Sequence, residues 1–261
     1  MNVRAARAAT SLRDSPRVGG PLVDLEELAV IGRFDTVLGA ALRRERHDRP
    51  FITLAFAQSV DGSIARASSS PTALSNARSL TVTHLLRTRH DAILVGIRTV
   101  LADDPLLTVR LVEGPSPQAI VLDSWLRFPL HARLLVDGVR PPIIATTTGA
   151  SEASAEKLRA AGARILRVPP DAHGMVDLEA LLLRLRRSGT RSLMVEGGAR
   201  VITSVLRAEV ADHLVLTIAP VFLGGLPAVN SLAPLDVGSL PQLRNILHTP
   251  LGDDLVLSAS L

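Results

Sequence analysis

Three groups of polar residues stand directly after short apolar runs, where strands would end. The segment Thr99-Val-Leu-Ala-Asp-Asp-Pro-Leu-Leu-Thr-Val-Arg110 follows Ala92-Ile-Leu-Val-Gly96. It carries two adjacent carboxylates, Asp103 and Asp104, and a guanidinium, Arg110, that can pair with either of them or hold a phosphate bidentately. Asp123-Ser124 ends a second run, and Glu196-Gly197-Gly198 ends a third. In the third, two glycines let backbone approach a ligand closely. A helix starting after Gly198 would offer N–H groups and partial positive charge to a phosphate. Each group also has a plainer reading. Aspartates before Pro105 stop helices, Asp-Ser makes turns, and a Gly pair between strand and helix is more often only a turn. Gly224-Gly225, after Pro220, reads as a tight loop. What favours a site is convergence, because ligands of open α/β sheets bind at the carboxyl ends of strands.

Other chemistries are excluded. The chain has no cysteine, hence neither disulfides nor thiolate metal sites, and its seven histidines show no metal spacing. A zinc deaminase signature, a P-loop, a Gly-x-Ser-x-Gly elbow and a Gly-x-Gly-x-x-Gly fingerprint are all missing. His84 falls in mid-helix and reads as a surface or core residue rather than a catalyst.

The elements that must position these groups follow from periodicity. Residues 23–46 place Leu25, Leu28, Ile31, Phe34, Val37, Leu38 and Leu42 on one stripe and predict a helix, bounded by Pro50. A strand over 51–57, the turn Asp61-Gly62 and a polar loop over 63–71 come next. Ser75 is placed to cap a helix reaching about residue 89. Strands are predicted over 92–96, 119–123, 142–146, 163–168, 192–196, 213–218 and 254–260. Helices are predicted over 151–161, from the cap Asp177 to 187, and from Gly198 to about 208. Such alternation predicts a mostly parallel sheet with helices on both faces. The last two strands have no clear helix between them and predict an antiparallel pair at one edge.

Composition agrees. Of the 261 residues 47% are hydrophobic but only 2% aromatic, with no Tyr and one Trp, so the core is built from Leu, Val, Ile and Ala, which suits a buried parallel sheet. The isoelectric point near 10.9 reflects scattered arginines with a single lysine, and the formal net charge is only +4. This argues against a nucleic-acid partner. No apolar run approaches the roughly 20 residues of a membrane span. Residues 1–20 read as a disordered leader, and the chain as cytoplasmic.

Taken together, these landmarks identify a resemblance. The chain resembles the pyrimidine reductases of riboflavin biosynthesis, both stand-alone enzymes and the carboxyl-terminal half of the bifunctional deaminase–reductase. The resemblance is carried by Ala57-Gln-Ser-Val-Asp-Gly62, His84-Leu-Leu-Arg87, Asp91-Ala-Ile-Leu-Val-Gly96, the 99–110 segment, Ile120-Val-Leu-Asp-Ser124, Leu126-Arg-Phe-Pro-Leu-His-Ala-Arg133, Val195-Glu-Gly-Gly198, and Ala219-Pro220 through Gly224-Gly225. It implies a dihydrofolate-reductase-like α/β fold with a mixed, mostly parallel sheet, and a homodimer. It implies NADPH as the cofactor and a phosphorylated small-molecule substrate, a phosphoribosylamino-pyrimidine whose ribosyl group becomes ribityl. By motif position Ala57, Thr99, Asp103, Ser124 and the helix start Gly198, Ala199, Arg200, Val201, Ile202, Thr203 and Ser204 are implied cofactor contacts. Ser70, or Thr72 beside it, Arg87, Leu107, Arg110 and Glu196 are implied substrate contacts, with Asp103 handling a proton.

The resemblance spans about residues 50–261, which divides the chain into an N-terminal extension, 1–48, and a reductase domain, 49–261. The extension is expected to be partly disordered, with a helix docked on the dimer or forming an arm. The chain is expected to lack the deaminase half, and Pro71-Thr72-Ala73 stands where the family often has a bulky residue. Arg98 and Arg200 are the candidates for a cofactor 2′-phosphate, with a surface role the equal alternative for each. Two rival readings keep the fold: a paralogous reductase of a dihydrofolate-like pterin, and a non-catalytic nucleotide-binding subunit.

Overall fold

The computed structural model describes residues 23–44, 46–66, 73–233 and 236–261. Seven apolar runs become parallel strands: Phe51–Ser59 (β1), Ala92–Gly96 (β3), Gln118–Leu122 (β4), Ile143–Thr147 (β5), Arg164–Val168 (β6), Ser192–Val195 (β7) and His213–Ala219 (β8). Asp254–Ser260 (β11) runs antiparallel to β8, and Arg244–Leu251 (β10) antiparallel to β11. The order across the sheet is β10-β11-β8-β1-β7-β3-β4-β5-β6. The mixed, mostly parallel sheet expected from the alternation of elements is therefore present.

Successive strand residues face opposite sides, as the pleat requires. Ile93 and Val95 join a core with helices Leu25–Arg43 (α1), Ala77–Thr88 (α2) and Glu152–Ala160 (α5); Ala92 and Leu94 join another with Leu178–Arg187 (α6) and Ala199–Arg207 (α7). Helices thus cover both faces. Two shorter helices, Ile97–Asp103 (α3) and Arg133–Val136 (α4), occupy strand-to-strand connections.

Four local expectations change. Within the segment expected to be a polar loop, Ser63–Ala65 (β2) pairs with Leu226–Pro227 (β9) in a separate ribbon. Asn76, not Ser75, caps α2, its side chain accepting from the N–H groups of Arg78 and Ser79. The antiparallel strand β11 is not the sheet's edge. That place belongs to β10, which the periodicity misses because most of its side chains are exposed and Pro250 interrupts it. Helix α1 packs within its own chain. Its Phe34 is fully buried, with ring centroids 5.2 Å from His90 and 5.6 Å from His213. A buried phenylalanine of this kind contributes about 3–5 kcal/mol against alanine, so this helix is part of the core rather than an arm. Residues 1–20 lie outside the described residues.

Candidate active site

Strand β7 is short, and its shortness makes the site. It pairs with β1 only from Ser192 to Val195, and with β3 only at Leu193, Met194 and Val195. Beyond that level β1 continues to Ser59 along β8, and β3 to Gly96 along β4. A notch opens between β1 and β3 where the backbone of Glu196-Gly197-Gly198 turns into α7. The Glu196 N–H still donates to the Leu94 carbonyl at 3.0 Å.

Glycine is required here by close approach. A Cβ on Gly197 would lie 2.4 Å from Val201 Cβ, and one on Gly96 would lie 2.9 Å from Val201 Cγ2. Gly198 is different, because a Cβ there would meet only Thr99 Oγ1, at 3.7 Å. Gly96 caps α3 and Gly198 caps α7, so two helix starts stand side by side. First-turn N–H groups have no partner inside their helix, and this bare backbone surface suits an anion of phosphate size. Of the α7 residues implied as cofactor contacts, Ala199, Val201, Ile202 and Thr203 are buried, whereas Arg200 and Ser204 are exposed. The Thr203 hydroxyl donates to Ala199 O at 2.6 Å and accepts from the Asn230 N–H at 2.9 Å. The cradle is therefore backbone at Gly198 to Arg200, with Thr203 behind it.

On the other side of the notch lies the segment after α3. Asp104 and Leu107 both have left-handed backbone, with φ of 39° and 54°. That conformation costs a non-glycine residue roughly 1–2 kcal/mol, so the surroundings must hold it. Asp104 Oδ1 accepts from the Arg133 N–H at the start of α4, at 2.9 Å, and Leu107 is buried. Thr108 O accepts from Arg87 at 3.0 Å. The N–H groups of Arg110 and Leu111 donate to His84 Nδ1 at 2.9 and 3.4 Å.

Arg87 and Glu196, both implied substrate contacts, are brought together by the fold. Nε donates to Oε1 at 2.8 Å and one terminal nitrogen to Oε2 at 2.7 Å. The third nitrogen reaches Thr108 O, so one buried fork ties α2, the end of β7 and the 104–111 loop. Burial lowers the Arg87 guanidinium, but the Glu196 charge and hydrogen bonds together outweigh burial and hold it above its ordinary range. Arg110 remains exposed, its guanidinium donating to the Thr108 hydroxyl at 3.0 Å.

Asp103, the last residue of α3, is at the rim, and desolvation on its protein side raises its carboxyl above the usual range. Ala57 is half-buried on β1, paired in register with Thr217. Ser124 is turned inward: its Oγ accepts from the Val176 N–H at 3.0 Å, and its carbonyl from Thr147 Oγ1 at 3.1 Å. Asp123 is fully buried and accepts from the Phe128 N–H at 2.9 Å, so it shapes the turn after β4. Ser70 and Thr72 lie outside the described residues.

Two contributors escaped the sequence reading. One is His84, in the core as one of its two readings had it, whose ring also accepts from the Arg110 and Leu111 N–H groups. The other is Asp61, whose carboxylate accepts from the hydroxyls of Ser59 and Ser63 and from the N–H groups of Leu223 and Gly224, at 2.6 to 2.9 Å. These four donors hold its carboxyl far below the ordinary range, the Ser59 hydroxyl contributing most. A Cβ on Gly225 would strike Ala65 O at 2.0 Å. The Asp61-Gly62 turn and the Gly224-Gly225 loop are thus one structure. Only their side-by-side placement in space could have revealed it.

Two helix starts stand beside the Asp103 carboxylate at the carboxyl ends of parallel strands, the place where open α/β sheets bind their ligands. The chain belongs to the RibD C-terminal domain family, whose model matches residues 50–257. It is 35% identical over 220 residues to a 2,5-diamino-6-ribosylamino-4(3H)-pyrimidinone 5′-phosphate reductase of Aquifex aeolicus, covering 82% of this chain and 95% of that one. It is also 35% identical over 211 residues to the riboflavin biosynthesis protein RibD of the same organism, covering 80% of this chain but only 57% of that longer protein. Among solved structures, the Saccharomyces cerevisiae riboflavin biosynthesis reductase Rib7 superposes with a TM-score of 0.68 at 30% identity, covering 88% of this chain and 99% of that one. Among the described residues no helix is long and apolar enough to cross a membrane, and no group of His, Cys, Asp or Glu could hold a metal ion.

Proposed function

We propose that this chain reduces the ribosyl group of a phosphoribosylamino-pyrimidine to the ribitylamino product, with NADPH as the reductant. The observation that carries the reading is the glycine-lined notch between β1 and β3, in a chain that spans nearly all of a stand-alone relative so named. The cradle fits the cofactor: bare backbone at Gly198 to Arg200 receives a phosphate, and Thr99 Oγ1 stands beside it. NADPH supplies the hydride when bound. Ala57, on the open edge of β1, flanks the cofactor's path along the strand ends, and Ser124, turned inward to Val176, shapes the turn after β4 beside it. Arg200, exposed in the first turn of α7, and Arg98 are the cations offered for a 2′-phosphate.

The chain's own groups complete the chemistry. Opening the ribosylamine to its imine moves a proton from nitrogen to the ring oxygen. Hydride addition at the anomeric carbon is matched by a proton at nitrogen. Asp103, whose carboxyl is raised above its ordinary range by desolvation, relays these protons. Arg87 and Glu196 already satisfy each other, so with the buried Leu107 they shape the substrate wall, and the exposed Arg110 receives the phosphorylated ribose. The enzyme acts as a cytoplasmic homodimer. Support for the dimer comes from exposed apolar side chains at the β2–β9 ribbon, Val60, Val221 and Phe222, the last 80% exposed.

Turnover with either the diamino-pyrimidinone or the aminouracil substrate, against NADPH and NADH, tests the reading. Activity with one of them and NADPH is expected, and Asp103→Asn is expected to lower kcat by about 10²–10⁴-fold, the usual worth of a positioned acid–base group. A protein that oxidises neither cofactor with either substrate would refute the reading. Sedimentation of wild type against Phe222→Asp tests the dimer.

A further inference from the structure

We infer that His84 is a positioning residue for the substrate reaction: from inside α2 its imidazole fixes the backbone at Arg110 and Leu111, and so sets where the Arg110 guanidinium meets the substrate's phosphate. The inference rests on the reading of residues 104–111 as the substrate-facing loop.

His84 is 4% exposed and one helical turn before Arg87. Nδ1 accepts from two successive backbone N–H groups, at 2.9 and 3.4 Å. Two backbone donors require a lone pair on Nδ1, which places the ring proton on Nε2. The loop needs such an anchor. It enters through Asp104 and Leu107 in left-handed conformation, and a strained backbone persists only where its surroundings over-determine it. Arg133 N–H holds the entrance at Asp104, Arg87 holds the middle at Thr108 O, and Ser116 Oγ accepts from the Val109 N–H at 3.0 Å. His84 alone among these grips Arg110 itself. The same helix face thus carries two of the loop's anchors, His84 and Arg87, and the second is locked to Glu196 at the end of β7. The path from notch to Arg110 is continuous through hydrogen bonds.

The groups facing the ring keep it an acceptor. Burial first, and then the cations Arg87 and Arg110, push His84 down to about 4. Across the working range it is neutral, and it can serve neither as a general acid nor as a counter-charge for phosphate. Its contribution is geometric.

Asparagine places Oδ1 where His84 has Nδ1, glutamine reaches instead toward Nε2, and leucine has no acceptor. Steady-state kinetics of wild type, His84→Asn, His84→Gln and His84→Leu, with thermal melting of each, separates positioning from packing. Asn is expected to stay within about threefold of wild type. Gln and Leu are expected to raise the KM for the phosphorylated substrate about tenfold, the equivalent of one hydrogen bond of roughly 1.4 kcal/mol, while the KM for NADPH stays unchanged. An unchanged substrate KM in the Gln variant would overturn the inference. So would a parallel rise of both KM values with falling melting temperature, or a failure of Asn to rescue. Should wild type turn over no pyrimidine substrate, the functional reading fails first. Amide exchange then decides the anchor separately: protection of the Arg110 and Leu111 amides is kept in Asn and lost in Gln if His84 sets this backbone, and equal protection in both refutes it.

Discussion

Arg87 and Glu196 join α2 to the end of β7 across 109 residues of sequence, and Asp61 joins the end of β1 to the Gly224-Gly225 loop across 163. Both close a strand-end loop over the same end of the sheet. The first does so with opposite charges, 10% and 16% exposed, in a bidentate fork. The second is an exposed carboxylate with no cation among the partners that lower its pKa, held by two hydroxyls and two backbone N–H groups. A buried ion pair is costly to desolvate and fails badly when one member is removed. A carboxylate at the surface keeps its solvation, and its loss is felt locally. The difference teaches which lock the site depends on: the buried fork also holds Thr108, on the loop that His84, one turn away on α2, grips at Arg110 and Leu111, whereas the exposed hub orders only its own loop.

The comparison can be broken most severely at Glu196. Glu196→Ala leaves the Arg87 charge buried and unpaired, and is expected to cost about 3–5 kcal/mol in denaturant unfolding together with nearly all turnover. The double replacement Arg87→Met/Glu196→Leu should recover much of the stability and none of the activity. If it recovers both, the fork is not what shapes the site. A smaller effect is expected at Gly197→Ala. Its new methyl must displace Val201, at about 1–3 kcal/mol, whereas Gly198→Ala should leave the fold nearly intact and raise the KM for NADPH. Equal destabilisation by the two alanines would contradict the geometry of the cradle.

Acid should separate the two locks. His84, His90 and His213 are held at about 4 by burial, below an unfolded value of about 6.5. The unfolded chain therefore binds more protons between these values, and stability falls as pH drops from about 6.5 to about 4. Each histidine contributes a slope of roughly 1.4 kcal/mol per pH unit. His84→Asn should reduce the slope by one such share, measured by urea unfolding at several pH values; an unchanged slope would mean that His84 titrates normally. Asp61 acts in the same direction but in a lower window. Its carboxyl is lowered, so its stabilisation is full above the ordinary carboxylate range and is lost only as pH falls below it. The smallest effect is expected for Asp61→Asn: faster amide exchange at Leu223 and Gly224, with the rest of the sheet protected as in wild type. A global loss of protection would make the hub as central as the fork.

Much of the frame was legible in the residues. Period-two and apolar runs located all seven parallel strands and β11 within a residue or two, because a sheet buried on both faces leaves continuous hydrophobic runs. Asp177 and the Gly189 stop bounded α6 correctly for the same local reason. β10 was missed because its side chains are mostly solvent-facing, and β2 because three residues of a two-stranded ribbon carry no periodicity. The site was legible only in part. Glycines at 197 and 198 announce a close backbone approach, and the family motifs nominate the polar groups around them.

By itself the sequence determined where the strands end, that bare backbone opens α7, and which family the chain resembles. Those are properties of local pattern. Only the tertiary structure decided that β7 stops short between β1 and β3, that Arg87 meets Glu196, and that His84 grips the loop of Arg110. It also joined Asp61 to a loop more than 160 residues away. The physical reason is that hydrogen bonds and ion pairs depend on distance in space, and no spacing along a chain records which remote groups the packing of a sheet will bring within 3 Å.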